Sequence, residues 1–337
     1  MKKIPISAVL LLACVNLFAQ LDSAQFYFKK AIEQKTAKQS LVASKSFDKA
    51  ISFNNKFKEA YLENAYVNLE MRKMDNALSN FNKVLELEPT NTAAAKELMD
   101  IYYNYHQYAK AKELAVKCNG CLNAEKIIAM CNYHEDDYGN AVKGLLSFLA
   151  KNPTDAEATY TLARSYLDME QFKNAVPYYN KAILLSPDKN AWTYELGMIY
   201  YTLTDYKNAV VFFNKAAENG YPKKSDFVEN LGYAYIYSGQ FDEGEKMLLS
   251  LLEKKPDNKE LLRDIAEAYY NGKLYDKSLG YCQKLMEMDM KDGKALYQAG
   301  LCFQKMGQKE KGQGMCDKAI EIDPSLNGLR QKQMTGL

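Results

Sequence analysis

The chain repeats itself with a period of 34 residues. Segments that begin at Ala24, Lys58, Thr92, Leu122, Ala156, Asn190, Ser225, Lys259 and Gly293 carry the same residue types at the same offsets. A fixed period of this size marks a repeat array, in which each short unit gains its stability by stacking on its neighbours. That constraint excludes an ordinary two-domain globular arrangement, which the length of 337 residues would otherwise suggest.

Each unit contains two amphipathic stripes. The eighth position is small in nearly every unit (Ala31, Ala65, Ala129, Ala163, Gly197, Gly232, Ala266, Gly300), with Met99 as the exception. An apolar residue precedes it in Leu98, Ile128, Leu162, Leu196, Leu231 and Ile265, and an aromatic follows three residues later in Tyr102, Tyr166, Tyr200, Tyr235, Tyr269 and Phe303. Spacings of three and four place these residues on one helical face. The second stripe is small at position 20 (Ala77, Ala141, Ala209, Gly244) and larger at position 24 (Phe47, Phe81, Leu145, Tyr179, Phe213, Leu248). An aromatic closes the turn between the stripes at position 17, in Tyr108, Tyr138, Phe172, Tyr206, Phe241 and Tyr275. Units end on proline in Pro89, Pro153, Pro187, Pro256 and Pro324, where a residue unable to continue a helix turns the chain. Pro177 is expected near the start of its helix, where backbone N–H groups lack partners.

These columns resemble the tetratricopeptide repeat, over residues 24–326. The resemblance implies an all-α fold, a right-handed superhelical solenoid of about nine helix-turn-helix units, followed by a short polar tail over 327–337. Two units depart from the pattern. The third is four residues short, and the first carries Lys30 and Gln34 at core columns, as an end unit facing solvent would.

Ahead of the array, Lys2 and Lys3, an apolar run from about Ile6 to Phe18 and the small Ala19 read as a signal peptide over residues 1–19. The run is too short for a comfortable membrane span. An alternative takes Leu11-Leu12-Ala13-Cys14 as a lipoprotein box with Cys14 lipidated. Either way export is expected, to a bacterial periplasm or the outer membrane, with secretion as an alternative. A membrane would be met only through that anchor or through a membrane-bound partner. With 44 basic and 42 acidic side chains and a net charge of +2, the chain gives no reason to expect nucleic acid.

Cys118, Cys121, Cys131 and His134 have the Cys-x2-Cys and Cys-x2-His form of a zinc site. The repeat register opposes it: Cys131 and His134 fall about 12 Å along the following helix at 1.5 Å per residue. A Cys118–Cys121 disulfide and plain buried thiols remain alternatives in an oxidising compartment. Cys282 and Cys316 share one core column, and Cys131 and Cys302 another, which suits small apolar side chains.

No catalytic constellation is visible. His106 and His134 are the only histidines, and neither adjoins a nucleophile motif. The chain is therefore read as not an enzyme, with no cofactor and no metal. The family resemblance instead implies a concave groove lined by the first helix of each unit, at positions 2, 5, 9, 12 and 13. Carried over, these give Tyr66, Tyr103, Tyr133, Tyr160, Arg164, Tyr194, Met198, Tyr201, Tyr233, Tyr237, Arg263, Tyr270 and Tyr297, with Met130 and Glu267 among them. Tyrosine offers rigid contact area at low entropic cost. The Lys and Asn spacing of the subclass that clamps a terminal carboxylate is absent, since Lys96 is followed by Asp100 and Lys126 by Met130. Three functions are left open: a protein or peptide-binding scaffold or adaptor of the cell envelope, a carbohydrate or peptidoglycan binder, and a zinc or redox site at Cys118, Cys121 and Cys131.

Overall fold

The computed structural model describes the backbone of residues 6–328 and the side chains of residues 21–328. Among the described residues it contains eighteen α-helices and no strand. Two compact units are present, Met1–Glu170 and Gln171–Leu337, and their boundary falls between the two helices of the fifth repeat.

The first unit runs through α1 (Ile6–Thr36), α2 (Ser40–Phe53), α3 (Lys58–Glu70), α4 (Met74–Leu87), α5 (Thr92–Asn104), α6 (Tyr108–Lys117), α7 (Ala124–His134), α8 (Tyr138–Lys151) and α9 (Ala156–Asp168). The second contains α10 (Phe172–Leu185), α11 (Asn190–Thr202), α12 (Tyr206–Glu218), α13 (Ser225–Tyr237), α14 (Phe241–Leu252), α15 (Lys259–Asn271), α16 (Tyr275–Met288), α17 (Gly293–Lys305) and α18 (Lys309–Ile322), closed by a 3-10 turn at Pro324–Leu326.

Most of these helices have 13 or 14 residues, a length that is marginal alone in water. Packing therefore holds them. Small residues at the eighth position let paired helices approach: Ala31, Ala65 and Ala163 are fully buried, as are the position-24 side chains Phe47, Phe81, Leu145 and Phe213. Several first helices start on a polar side chain that accepts a backbone N–H, as Asn91 does from Ala94 (3.0 Å), Asp155 from Ala158 (2.8 Å) and Asp292 from Ala295 (3.0 Å).

A single backbone device makes the turn inside each repeat. The residue two places before the second helix has a positive φ, as at Arg72, His106, Asp136, Thr204 and Lys273, with glycine used only at Gly239 and Gly307. The next N–H then reaches back to the position-11 carbonyl: Gln107 to Tyr102 (2.8 Å), Asp205 to Tyr200 (2.9 Å) and Leu274 to Tyr269 (2.9 Å). This left-handed cap satisfies carbonyls that the helix end would leave orphaned.

The short third repeat loses its residues from one place. Helix α6 has 10 residues where α4 and α8 have 14, and the connection to α7 carries a disulfide between Cys118 and Cys121, with Cα atoms 5.6 Å apart. Pro177 departs from expectation: it sits in the second turn of α10, beyond the unpaired N–H groups, because the helix begins at Phe172. It removes the N–H that the Lys173 carbonyl would ordinarily accept.

The leader expected over 1–19, with Cys14, lies outside the described side chains, and its first five residues lie wholly outside the described residues, as do residues 329–337 of the tail. No helix among the described residues is long and apolar enough to cross a membrane.

Candidate functional site

The tyrosines assigned to the groove gather into tiers on the first helices of each unit. In the first unit, Tyr103 on α5 places its hydroxyl 3.0 Å from His134 Nε2 on α7, and the His134 ring stacks on Tyr108 with centroids 4.5 Å apart and planes within 5°. His106 Nδ1 meets the Tyr108 hydroxyl at 2.5 Å, so both histidines of the chain join one aromatic cluster. Tyr133 donates to Asp168 (2.8 Å) and its ring lies 5.8 Å from Tyr138. Tyr66 packs edge-on against Phe81 at 5.3 Å, and Tyr160 and Arg164 are half-buried, the latter 3.5 Å from Asp168.

In the second unit, Tyr194 stacks on Tyr221 at 4.4 Å and its hydroxyl accepts from Asn230 (2.9 Å). Tyr201, Tyr206 and Tyr237 form a box: Tyr201 meets Tyr206 edge-on at 5.3 Å, and Tyr206 lies 4.9 Å from Tyr237. Tyr270 meets Tyr275 edge-on at 5.5 Å, and Met198 is half-buried. Arg263 pairs with the buried Asp292 at 2.7 Å.

Three residues fall elsewhere. Tyr297 is 4 % exposed and packs with Leu301, Cys316, Ala319 and Leu326, because the 3-10 turn folds over the last first-helix. Tyr233 is 9 % exposed, with only its hydroxyl reaching outward to Asp264 at 3.4 Å. Met130 is also buried. Conversely, the spacing argument missed Tyr108, Tyr138, Tyr206 and Tyr275, which it had placed only as turn closers. They begin the second helices yet pack edge-on or tilted against groove tyrosines, and His134 joins them.

The chemistry of these groups favours binding. Burial, with help from the Asp168 carboxylate, pushes the Tyr133 hydroxyl up to about 12, and burial raises Tyr103, Tyr201 and Tyr237 as well. At neutral pH these hydroxyls stay protonated and act as hydrogen-bonding groups rather than nucleophiles. Cys131 packs with Met99, Ala111 and Ile127, and burial pushes its thiol up to about 11. Thiolate is the form that ligates metal or attacks disulfides, so this environment disfavours both. No group of three histidine, cysteine or carboxylate side chains converges on a metal position among the described residues.

A cavity of about 180 Å³ lies at the far end of the second unit, floored by Ala266, Cys282, Leu285 and Leu326 and rimmed by Arg263, Glu267, Lys294 and Gln298. Two buried donors on its lining, Arg263 Nε and Gln298 Nε2, have no acceptor.

Burial first, then the nearby His106, holds the His134 pKa below its ordinary value of 6.5. The folded state therefore binds this proton more weakly than the unfolded chain does. Its contribution to stability is intact above that pH and is lost as pH falls through 6.5 toward the lower folded value. The urea midpoint of the first unit should drop between about pH 7.5 and pH 5.5, and His134→Phe should shrink that drop. An unchanged pH dependence in the variant would refute this.

One tetratricopeptide repeat model matches residues 160–222 and 230–292, and a second matches 58–91 and 293–326. The chain belongs to the tetratricopeptide repeat family. Tetratricopeptide repeat proteins are in general protein-interaction scaffolds rather than enzymes. Among solved tetratricopeptide repeat structures, the chain is similar to YrrB, described as having an unusual peptide-binding site, at 24 % identity over 57 % of this chain and 100 % of that one, with a TM-score of 0.40. It is similar to a tetratricopeptide repeat protein from Parabacteroides merdae at 15 % identity over 79 % and 93 %, TM-score 0.39. The type IV pilus biogenesis factor PilW aligns at 16 % identity over 71 % and 96 %, TM-score 0.36.

Proposed function

We propose that this protein is a non-enzymatic scaffold or adaptor of the bacterial cell envelope that binds an extended peptide or a partner helix on its tyrosine-lined first-helix faces. The observation that carries the reading is the aromatic tiers themselves. Half-buried rings that pack on one another are held rigid before a partner arrives, so little side-chain entropy remains to be lost on binding. The same packing bears on the carbohydrate alternative. A sugar needs an open ring face to stack on, and Tyr108 and Tyr194 each have one face already covered by a stacked ring. The envelope assignment rests on the leader sequence, whether it is cleaved after Ala19 or anchored at Cys14.

Affinity capture with the intact protein from a solubilised envelope fraction tests the proposal. The expected result is specific retention of a protein partner. Retention of no protein, together with thermal protection by glycan fragments, would replace the adaptor with the carbohydrate reading.

A further inference from the structure

We propose that the first-helix face of the second unit docks an extended polypeptide segment rich in lysine or arginine. This rests on the scaffold reading above and names the chemistry of the partner.

Charge singles out that occupant. Glu229, Asp264 and Glu267 act on the hydroxyls of Tyr201 and Tyr237 in the box, and Asp226 and Glu260 stand in the first turns of the same helices, α13 and α15. None of the five has an ion-pair partner among the described residues, although Lys259 and Arg263 stand on the same helix. Those two cations are engaged elsewhere, Lys259 with Asp289 at 3.4 Å and Arg263 with Asp292 at 2.7 Å. In the first unit, by contrast, cations stand among the first-helix carboxylates: Lys35 lies 2.6 Å from Glu63, Lys126 2.8 Å from Glu157 and Arg164 3.5 Å from Asp168, although Asp100 on α5 forms no ion pair among the described residues. Burial and the neighbouring Asp264 and Asp226 raise the Glu229 pKa, and burial raises that of Asp264, so these carboxylates gain from an incoming cation.

Tyrosine rings add to the same preference. Their faces carry negative electrostatic potential, and a lysine or arginine head group placed over one is attracted by it. A single metal ion does not fit, because the carboxylates are spread along two helices and no three converge. Several cations spaced along one chain do fit.

The test uses the full-length protein and three labelled peptides of identical length, alternating serine with lysine, glutamine or glutamate, followed by fluorescence anisotropy. The lysine peptide should bind at least about tenfold tighter than the glutamine peptide, and its affinity should fall as salt is raised. Combined Glu229→Gln, Asp264→Asn and Glu267→Gln substitutions, which keep shape and remove charge, should weaken it by about tenfold or more. Equal binding of lysine and glutamine peptides, or a folded variant that binds the lysine peptide as the native protein does, overturns the inference. If the variant loses helicity, the native protein decides: an affinity for the lysine peptide that does not change with salt overturns it too. In any of these cases the scaffold reading survives so long as envelope capture still retains a protein, and it falls with the inference if capture retains none.

Discussion

Gly244→Val should unfold the middle of the second unit, at a cost on the order of 3 kcal/mol or more. A Cβ at Gly244 on α14 would lie 2.6 Å from the Gly232 carbonyl oxygen and 3.0 Å from the Ile236 backbone nitrogen, both on α13. Backbone cannot rotate away, so the two helices must separate. Because each repeat is stabilised chiefly by its neighbours, the loss should spread to α15 and α12 before it reaches the ends of the unit. Gly197→Ala and Gly232→Ala are gentler contrasts. Their added Cβ atoms meet side chains rather than backbone, Phe213 at 2.6 Å and Leu248 at 2.7 Å, which are fully buried and must give way within the core, and about 1–3 kcal/mol is expected. Guanidinium unfolding followed by circular dichroism measures all three. A Gly244→Val protein within about 0.5 kcal/mol of native would show that α13 and α14 do not pack as closely as described.

The helices were legible because their signal is periodic and local. Small residues at positions 8 and 20, apolar residues three and four away, and the closing prolines each fix one face or one end of a helix, and the first helices α3, α5, α9, α11, α13, α15 and α17 begin at Lys58, Thr92, Ala156, Asn190, Ser225, Lys259 and Gly293. The groove was legible only in part. Helical spacing says which side of a helix Tyr233 and Tyr297 occupy, but not how deeply the next element covers that side. Tyr297 is buried by the turn at Pro324–Leu326, an end effect that no repeat column encodes.

Tyr108, Tyr138, Tyr206 and Tyr275 were missed for a different reason. Periodicity runs along one helix, and these residues lie across a turn whose positive-φ residue resets the register. A sequence signal was nevertheless available: a tyrosine at position 12 or 13 recurs with an aromatic at position 17 in five of the repeats, as in Tyr103 with Tyr108 and Tyr201 with Tyr206. The apparent zinc motif fails for a physical reason as well. Cys118 and Cys121 bond to each other, Cys131 serves as a small core side chain, and His134 stacks on Tyr108.

The second large effect concerns binding. Tyr201, Tyr237 and Tyr270 stand on α11, α13 and α15, half-buried and each with a ring edge or face against a neighbouring tyrosine. Truncating an interface tyrosine at a hot spot costs more than about 1 kcal/mol, so three together should cost about 3–4 kcal/mol, or roughly a hundredfold or more in affinity. The hydroxyls of Tyr201 and Tyr237 are raised in pKa by burial and remain protonated, so the loss should not vary with pH near neutrality.

The most direct measurement is the affinity of the captured envelope partner for native protein and for the Tyr201→Ala, Tyr237→Ala, Tyr270→Ala variant, with far-UV circular dichroism recorded on both. A variant of native helical content that binds at least about a hundredfold more weakly is the predicted result. A variant of native helical content that binds the partner as tightly as the native protein would contradict the tyrosine faces as the binding surface, and a collapsed helical signal would mean that these three residues are core.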